Sequence, residues 1–411
     1  MTALDLEADP VEMGLDTRRL LRVEDHLKGY VDKGLLPGWI VVVSRAGKVV
    51  YLARYGQRDM EAGLALETDT RFRIYSMTKP ITSIAAMMLY EKGAFELTDP
   101  VSKFIPSFGD ARVWHTGSSL VPVTQPLVEP VRIWHLLTHT SGLTYGFHYA
   151  HPVDELYRKA GFEWTHPRGM DLAACCDCWA GLPLLFQPGS EWNYSVATDV
   201  LGRVVEVVSK ESLDSFLAEQ IFNPLGMTDT GFWVSAEHKE KLAALYSPEP
   251  ATGLAKRNDL LGALALEPPG YLSGGGGLIS TAADYHRFMK MLLGEGQLGG
   301  TRLIGPRTLR YMVKNHLPGD RDLQEFGRPL YAETSFSGVG FGLGFSVLKD
   351  PVANKVLASP GEYGWGGAAS TLFWVDPAEE LTTLFLTQLL PSSTYPIRSQ
   401  LRQLVYQALI D

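Results

Sequence analysis

A serine and a lysine three positions apart offer the most reactive pairing in this chain of 411 residues. Ser76 and Lys79 form an S-x-x-K pattern, and the residues that follow read ITSIAAMMLYEKG, whose apolar spacing predicts a helix. Ser76 should therefore lie at a helix N-terminus, with Lys79 one turn further on. Residues at i and i+3 of a helix have Cβ atoms about 5–6 Å apart, so the ammonium can reach the hydroxyl. The pattern predicts a serine nucleophile with a lysine beside it.

This pairing is productive only if the serine is activated. A serine hydroxyl is a weak nucleophile until a base takes its proton, and a lysine can be that base only when burial or a neighbouring cation lowers its pKa. The S-x-x-K pattern alone is weak, and residues 346–349 repeat it within GLGFSVLKD. That segment is strand-like, so positions i and i+3 would face opposite ways. We therefore interpret the second copy as structural.

A tyrosine near the start of another predicted helix is a candidate third member of the site. Tyr194 stands in WNYSV, which enters that helix. Its hydroxyl can share a proton with Ser76 and Lys79 if that lysine lowers the pKa of the phenol. The alternative interpretation of Tyr194 is an ordinary core tyrosine.

A glycine pair late in the chain is a candidate for holding the reacting carbonyl group. Residues 365–368 read WGGA and run into a predicted strand. Adjacent glycines let a substrate approach the backbone closely. An N–H group there, together with the N–H of Ser76, could form an oxyanion hole. The alternative interpretation is an ordinary turn.

Strands near both ends of the chain must position these residues. The predicted strands cover residues 38–44, 48–53, 342–348, 370–375 and 381–389. Helices are predicted beside them, one capped by Asp16 and ending near residue 33, and one over residues 396–410. We therefore expect one sheet that is assembled from both ends of the chain.

The middle of the chain is mostly helical in pattern. Its candidate helices cover residues 78–92, 132–138, 170–181, 195–209, 211–221 and 282–294. We predict an α/β sheet domain from residues 1–75 and 290–411, and a mainly helical domain over residues 76–289. The active site would lie between the two domains.

Composition and charge exclude several classes of protein. The net charge of −9 comes without any basic run, so a nucleic-acid partner is not expected. The N-terminus is acidic and lacks the cationic and apolar regions of a signal peptide. Apolar stretches such as residues 81–89 are about half the length that spans a bilayer. We expect a cytoplasmic protein that does not associate with membranes.

Cysteine and histidine usage gives no support for a metal site. The three cysteines, Cys175, Cys176 and Cys178, are clustered and odd in number, which is a poor disulfide framework. Their segment is typical of a helix that uses cysteine as a small apolar residue. His135 and His139 have a metal-compatible spacing but lack the glutamate of H-E-x-x-H. The G-x-S-x-G motif of α/β-hydrolases is absent, so that class of enzyme is not expected.

Taken together, the motifs resemble the serine β-lactamase-like superfamily, which includes class C β-lactamases, DD-peptidases and family VIII carboxylesterases. The matching segments are SMTK at 76–79, HLLTHTSGL at 135–143, YSV at 194–196, SGGGGLIS at 273–280 and WGG at 365–367. Several such segments in the family's order are far more specific than any one of them, and the resemblance covers most of the chain.

The resemblance implies a fold, a set of roles and no cofactor. The fold is α/β, with an antiparallel sheet flanked by the N- and C-terminal helices and an inserted all-helical lobe. Ser76 would be the nucleophile that accepts the acyl group, with Lys79 and Tyr194 as its proton-transfer partners. The backbone N–H groups of Ser76 and Ala368 would form the oxyanion hole. Neither a metal nor an organic cofactor is expected.

Two departures from the family's patterns bear on the substrate. β-Lactamases and penicillin-binding proteins usually have Lys-Thr-Gly where this chain has Trp365, Gly366 and Gly367, and that lysine serves the carboxylate of a β-lactam or peptide. Tryptophan carries no charge and offers apolar area instead. The Tyr-Ala-Asn of class C enzymes is Tyr-Ser-Val here, so an amide is also missing. The W-G-G form is common in family VIII esterases, to which the resemblance is therefore closest.

We expect a serine carboxylesterase that hydrolyses small to medium-chain apolar esters through an acyl-enzyme on Ser76. The candidate substrate-binding residues are Trp365, Gly366, Gly367, Tyr145, Phe147 and Trp192. The expected partner is a small-molecule ester. Three alternatives stay open: weak cephalosporin hydrolysis, acyl transfer to an alcohol or amine, and a sensor that is acylated without turnover.

Overall fold

The computed structural model describes residues 4–410 and contains sixteen strands within that range. They are β1 (Gly38–Arg45), β2 (Lys48–Asp59), β3 (Leu64–Ala65), β4 (Phe72–Arg73), β5 (Arg112–Gly117), β6 (Pro122–Pro126), β7 (Tyr246–Pro248), β8 (Ala255–Arg257), β9 (Ile279–Ser280), β10 (Gln297–Leu298), β11 (Thr301–Arg302), β12 (Val339–Phe341), β13 (Ser346–Leu348), β14 (Tyr363–Gly366), β15 (Leu372–Asp376) and β16 (Leu381–Leu386).

Fourteen α-helices lie within the same residues. They are α1 (Thr17–Asp32), α2 (Thr78–Glu91), α3 (Ile133–Leu137), α4 (Pro152–Lys159), α5 (Leu172–Gly181), α6 (Ala197–Ser209), α7 (Leu213–Leu217), α8 (Asn223–Leu225), α9 (Asp259–Gly262), α10 (Ala282–Leu293), α11 (Pro306–Met312), α12 (Leu323–Phe326), α13 (Pro351–Asn354) and α14 (Ile397–Tyr406). None of the helices described over residues 4–410 is both long enough and apolar enough to cross a membrane.

One eight-stranded sheet joins the two ends of the chain. Its strand order is β12-β13-β14-β15-β16-β1-β2-β3, and neighbouring strands are antiparallel. β16 and β1 meet inside the sheet, with Ile40 opposite Leu386 and Val43 opposite Thr383. The expected α/β fold with an antiparallel sheet is therefore confirmed, and the sheet does combine N-terminal with C-terminal strands.

Both faces of the sheet are covered. Side chains alternate across a strand, so successive residues of β1 enter different cores. Val41 packs in a core with Leu27 of α1 and Leu401 of α14. Ile40 belongs to the larger core, which also holds side chains of α2 and α10. Because helices lie on both faces, β1 is apolar at almost every position instead of alternating with polar residues.

The sheet differs from the predicted strands at one place. Residues 342–348 were expected to form one strand, but β12 and β13 are separated by a turn there. Gly344 lies in this turn with a φ of +92°, and a Cβ at that position would collide with Ser83 Oγ of α2. The strand breaks because glycine allows the backbone both to reverse and to approach the helix.

The inserted middle of the chain holds short hairpins as well as helices. β5 pairs with β6 and β7 with β8 as hairpins, whereas β4 and β9 form a long-range pair at the two ends of the insertion. The division into two domains stays a prediction. The boundary placed at residue 290 falls within α10, and this helix packs against β1, β15 and β16 of the sheet.

Candidate active site

Ser76 lies in a short 3-10 turn directly before α2, which begins at residue 78 as predicted. The turn covers Tyr75–Met77, and α2 starts at the next residue. Tyr75 has a φ of +43°, a left-handed conformation that is rare for a bulky residue and that concentrates at functional sites. The hydroxyl of Tyr285 donates a 2.9 Å hydrogen bond to the carbonyl oxygen of Met77. The turn is therefore held from α10 as well as by its own helix.

Lys79 is almost completely buried, and its ammonium nitrogen has three hydrogen-bond partners. Nζ lies 3.2 Å from Ser76 Oγ, 2.9 Å from Tyr145 Oη and 2.6 Å from the carbonyl oxygen of Gly275. Burial lowers the pKa of Lys79 to about 8, against the opposing influence of two carboxylates. The expected depression of this pKa is therefore present, and its cause is burial and not a neighbouring cation.

Tyr194 reaches Ser76 from the segment just before α6. Its hydroxyl donates a 2.5 Å hydrogen bond to Ser76 Oγ, and its ring centroid lies 4.6 Å from Lys79 Nζ. The His148 ring donates from Nε2 to the carbonyl oxygen of Tyr194 over 2.8 Å. Burial raises the pKa of Tyr194 well above its ordinary value. The condition that lysine lowers this pKa is not met, so the phenol is a proton donor at neutral pH.

Residues 365–368 run from the end of β14 into the following turn. The Gly367 N–H donates to the carbonyl oxygen of Thr371 over 2.8 Å. A Cβ on Gly367 would collide with the carbonyl oxygen of Ile74, so only glycine lets this backbone approach the segment before the serine. Among the residues that the structure describes, none accepts a hydrogen bond from the Ala368 N–H.

Trp365 and Gly366 are neighbours in β14 and face opposite sides of the sheet. Trp365 is buried, with its ring centroid 5.5 Å from that of Tyr194 and 5.3 Å from that of Phe341. A Cβ on Gly366 would collide with the guanidinium of Arg398. The strand therefore presents an apolar ring towards Tyr194, where the related β-lactamases are expected to present a lysine.

The other predicted substrate-binding aromatic residues occupy two different environments. Tyr145 and Phe147 are half-buried and stacked at 4.5 Å, and the stack continues over another 4.5 Å to Trp164, which is 40% exposed. Trp192 lies in the core behind Tyr194, with its ring stacked at 6.4 Å. Tyr145 and Phe147 thus begin a row of stacked rings that runs from Lys79 to the partly exposed Trp164, whereas Trp192 lies in the core and stacks on Tyr194.

Three residues that the fold brings to this site were not singled out from the sequence. Gly275 accepts a hydrogen bond from Lys79, and the charges of Asp199 and Glu333 both act on that lysine. The glycine run at 273–277 was visible only as part of a family pattern. Asp199 and Glu333 stand in no recognisable motif, so only the packing reveals them. Tyr145 was expected to contact substrate, and its hydrogen bond to Lys79 was not anticipated.

The second S-x-x-K copy makes no comparable pair. Ser346 Oγ donates to the carbonyl oxygen of Gly364 over 2.9 Å, whereas Lys349 Nζ forms a 3.1 Å ion pair with Asp320. Each side chain has its own partner. Its structural interpretation therefore holds.

No metal-binding cluster of three or more His, Cys, Asp or Glu side chains occurs among residues 4–410. Cys175 and Cys176 are buried in α5, as expected for small apolar residues. His135 Nδ1 accepts from the N–H of Arg132, and His139 Nδ1 lies 3.1 Å from Ser195 Oγ. The two histidines therefore contact different groups.

The arrangement suits nucleophilic attack by a serine without a histidine. When Lys79 is neutral, its two N–H bonds can point to Tyr145 Oη and the Gly275 carbonyl oxygen, which leaves the amine lone pair facing Ser76 Oγ. Tyr194 donates a hydrogen bond to the same oxygen. Ser76 Oγ thus contacts one group that can accept its proton and another that donates a hydrogen bond to it.

Known proteins resemble this chain over most of its length. The family model described as Beta-lactamase matches residues 23–407. Protein Rv1367c of Mycobacterium tuberculosis is 38% identical, over 88% of this chain and 88% of its own length. Esterase EstB of Burkholderia gladioli is 34% identical, over 99% of this chain and 100% of its own length. The solved structure of EstCE1, a hydrolase with promiscuous acyltransferase activity, is 27% identical with a TM-score of 0.79, over 95% of this chain and 99% of that one.

Proposed function

Because this chain belongs to the Beta-lactamase family and is similar to esterases over nearly its whole length, we propose that it is a serine carboxylesterase. Its substrates are small to medium-chain apolar esters. Among the subgroups of the superfamily, the W-G-G segment at residues 365–367 favours the family VIII carboxylesterases.

One observation carries the proposal: two different groups contact the same serine oxygen. Lys79 Nζ lies 3.2 Å and Tyr194 Oη 2.5 Å from Ser76 Oγ. With a pKa of about 8, Lys79 is partly neutral near physiological pH and can accept the serine proton. Tyr194 stays protonated because burial raises its pKa, so it serves as the donor of the pair.

In the first half-reaction, Ser76 Oγ attacks the carbonyl carbon of the ester while its proton passes to Lys79. The carbonyl π electrons move onto oxygen, and the N–H groups of Ser76 and Ala368 stabilise the resulting oxyanion. As the oxyanion collapses, the bond between the carbonyl carbon and the alcohol oxygen breaks. The Lys79 and Tyr194 pair returns the proton to that alkoxide, which leaves as the alcohol.

In the second half-reaction, water replaces the alcohol. It attacks the acyl carbon and gives a proton to the same lysine and tyrosine pair. The bond from the acyl carbon to Ser76 Oγ then breaks, and Oγ takes the proton back. The products are the carboxylic acid and the free enzyme, so no group is consumed.

The walls of the site favour uncharged substrates. Trp365 supplies an apolar ring beside Tyr194, and the Tyr145–Phe147 stack supplies another. Burying apolar area contributes about 25 cal/mol per Å², so alkyl and aryl groups gain here. A substrate carboxylate would meet no lysine at position 365.

The direct test is turnover of p-nitrophenyl acetate and butyrate by wild type and by Ser76→Ala. Wild type should hydrolyse both esters and form a transient acyl adduct on Ser76, visible by intact-protein mass spectrometry. The variant should lose both properties while keeping the wild-type unfolding midpoint. A substantial residual rate in Ser76→Ala would contradict the assignment.

Acyl transfer is the second candidate, since EstCE1 is described as having promiscuous acyltransferase activity. Adding a short alcohol or amine to the butyrate assay separates the two outcomes. Formation of a new ester or amide at the expense of butyrate would favour transfer. If kcat/KM for nitrocefin is lower than kcat/KM for the ester, β-lactam hydrolysis is a side activity. If the acyl adduct on Ser76 persists, a sensor role is favoured.

A further inference from the structure

The third hydrogen bond of Lys79 leads to a buried carboxylate that lies outside the catalytic trio. Lys79 Nζ donates to the carbonyl oxygen of Gly275. The N–H of that same glycine donates over 3.0 Å to Asp199 Oδ1. Two more donors meet the same carboxylate oxygen, the hydroxyls of Tyr271 at 2.5 Å and Ser273 at 2.6 Å. Asp199 thus accepts hydrogen bonds from three residues of the glycine-rich segment 271–277.

Steric fit locks this segment against two helices. A Cβ on Gly275 would collide with the Asp199 carboxylate, and a Cβ on Gly274 would lie 2.9 Å from the carbonyl oxygen of Thr198 in α6. From α2, the Thr82 hydroxyl donates to the carbonyl oxygen of Gly274 over 2.7 Å. Only a glycine backbone can lie this close to both helices, so the Gly275 carbonyl is positioned by the hydrogen bonds to Asp199 together with the contact from Thr82.

We propose that Asp199 is a positioning residue: it holds the Gly275 carbonyl against Lys79 and supplies a buried negative charge beside the lysine. This inference rests on the proposed role of Lys79 as the base. The hydrogen-bond partners of the Asp199 carboxylate among the described residues are Tyr271, Ser273 and Gly275, and not Ser76. Asp199 acts on the reaction only through the orientation and the proton affinity of the lysine.

The orientation effect follows from the hydrogen-bond geometry of an amine. Neutral Lys79 has two N–H bonds and one lone pair, and its three neighbours are Tyr145 Oη, the Gly275 carbonyl and Ser76 Oγ. If the carbonyl moved away, an N–H could turn towards the serine and the lone pair would be lost to the reaction.

The charge effect has a definite sign. The charged or titratable groups that face Lys79 are the hydroxyls of Tyr145 and Tyr194, the His139 ring, whose pKa the lysine lowers, and the carboxylates of Asp199 and Glu333. Both carboxylates stabilise the ammonium and so raise the pKa of Lys79. Removing the charge of Asp199 should lower that pKa and leave the lysine neutral at a lower pH.

The test uses the rate at which a fluorophosphonate labels Ser76, measured from pH 5 to pH 10 in wild type, Asp199→Asn and Asp199→Ala. Labelling reports activation of the serine even if the natural substrate is not an ester, so it separates this inference from the proposed function. Both variants should shift the rising limb of the profile down by about one pH unit. Asp199→Asn retains an acceptor for the Gly275 N–H, so its labelling rate on the high-pH plateau should fall about tenfold or less. The plateau rate of Asp199→Ala should fall about a hundredfold.

Asp376→Asn is the matched control. Asp376 is another buried carboxylate, at the end of β15, and it also accepts from a tyrosine hydroxyl (Tyr406) and from backbone N–H groups. In Asp376→Asn, the labelling rate should rise over the same pH range as in wild type. The inference fails if the limb of Asp199→Asn matches wild type, or if Asp376→Asn shifts it equally. Thermal unfolding accompanies each profile, and if Asp199→Ala does not fold, the limb of Asp199→Asn decides alone.

Discussion

The hydroxyl of Tyr194 donates a 2.5 Å hydrogen bond to Ser76 Oγ although 118 positions separate the two residues in the chain. The contact is formed where the segment before α6 meets the 3-10 turn before α2. Lys79 Nζ lies 4.6 Å from the centroid of the same tyrosine ring and 3.2 Å from Ser76 Oγ. The serine, the proposed base and the proposed donor therefore contact one another, and each can be tested by a separate substitution.

Removing the tyrosine hydroxyl should slow the chemical step without disturbing the fold. We expect Tyr194→Phe to lower kcat/KM for p-nitrophenyl butyrate by about 10²–10⁴-fold, the usual contribution of a positioned proton donor. Tyr157→Phe is the control, because Tyr157 is a fully buried tyrosine in the same core and is not one of the groups that contact Ser76 Oγ or Lys79 Nζ. A loss of less than threefold in Tyr194→Phe would remove this hydroxyl from the mechanism.

The activity should depend on pH through the lysine. The pKa of Lys79 is lowered by burial to about 8, and the proposed base is its neutral form, so log kcat/KM should rise with pH and level off above about pH 8. A fall at high pH is expected only where Tyr194 loses its proton, and burial raises the pKa of that phenol well above its ordinary value. A rate that declines between pH 6 and pH 8 would contradict a lysine base.

Lys79→Met should abolish activity but raise the free energy of unfolding, and this increase should depend on pH. The pKa of Lys79 is about 8 in the folded protein and 10.5 ordinarily, so burying the ammonium disfavours folding fully below pH 8 and not at all above pH 10.5. The gain in free energy of unfolding should be on the order of 3 kcal/mol at pH 6.5, less the lost hydrogen bonds, and should shrink by pH 10.

Urea unfolding of both proteins at pH 6.5 and pH 10 measures this difference. Lys103→Met serves as the control, because the Lys103 side chain is 52% exposed and loses little hydration on folding. Equal changes for Lys79→Met at the two pH values would show that the lysine is not desolvated.

A methyl group on the proposed oxyanion strand should damage both activity and folding. In Gly367→Ala the new Cβ would collide with the Ile74 carbonyl and with Thr371 Oγ1. We expect kcat/KM to fall about a hundredfold and the free energy of unfolding to drop by about 1–3 kcal/mol. Gly300→Ala places its Cβ in open space and should change stability by less than about 0.5 kcal/mol. Full activity in Gly367→Ala would mean that this backbone does not hold the substrate.

The aromatic stack should set the preference for acyl length. Phe147 and Trp164 extend from Tyr145 in two steps of 4.5 Å, so a longer alkyl chain gains contacts that acetate cannot make. We expect Trp164→Ala to lower kcat/KM for p-nitrophenyl octanoate about tenfold and to leave the acetate unchanged, since each buried methylene contributes about 0.8 kcal/mol. Tyr311→Ala removes an exposed aromatic residue outside the stack and should alter neither substrate. Equal losses on both esters would exclude a role in chain length.

Local patterns predicted much of the backbone. Most predicted strand and helix limits lie within a few residues of those observed, because apolar periodicity and capping act over neighbouring residues. The strand expected over residues 342–348 failed because a contact with α2, far away in the chain, decides where the backbone turns at Gly344. Ser76 and Lys79 could be paired in advance because three positions along a helical turn bring any two side chains within reach.

By itself, then, the sequence determined the strands and helices, the serine and lysine pair, and, through the family resemblance, which distant tyrosine to examine. Only the tertiary structure decided that Asp199 holds the carbonyl contacting Lys79, and that burial lowers the pKa of the lysine while raising that of Tyr194. The physical reason is that proton affinity depends on how much water the fold excludes and on which charges it brings near, and neither quantity is local in the chain.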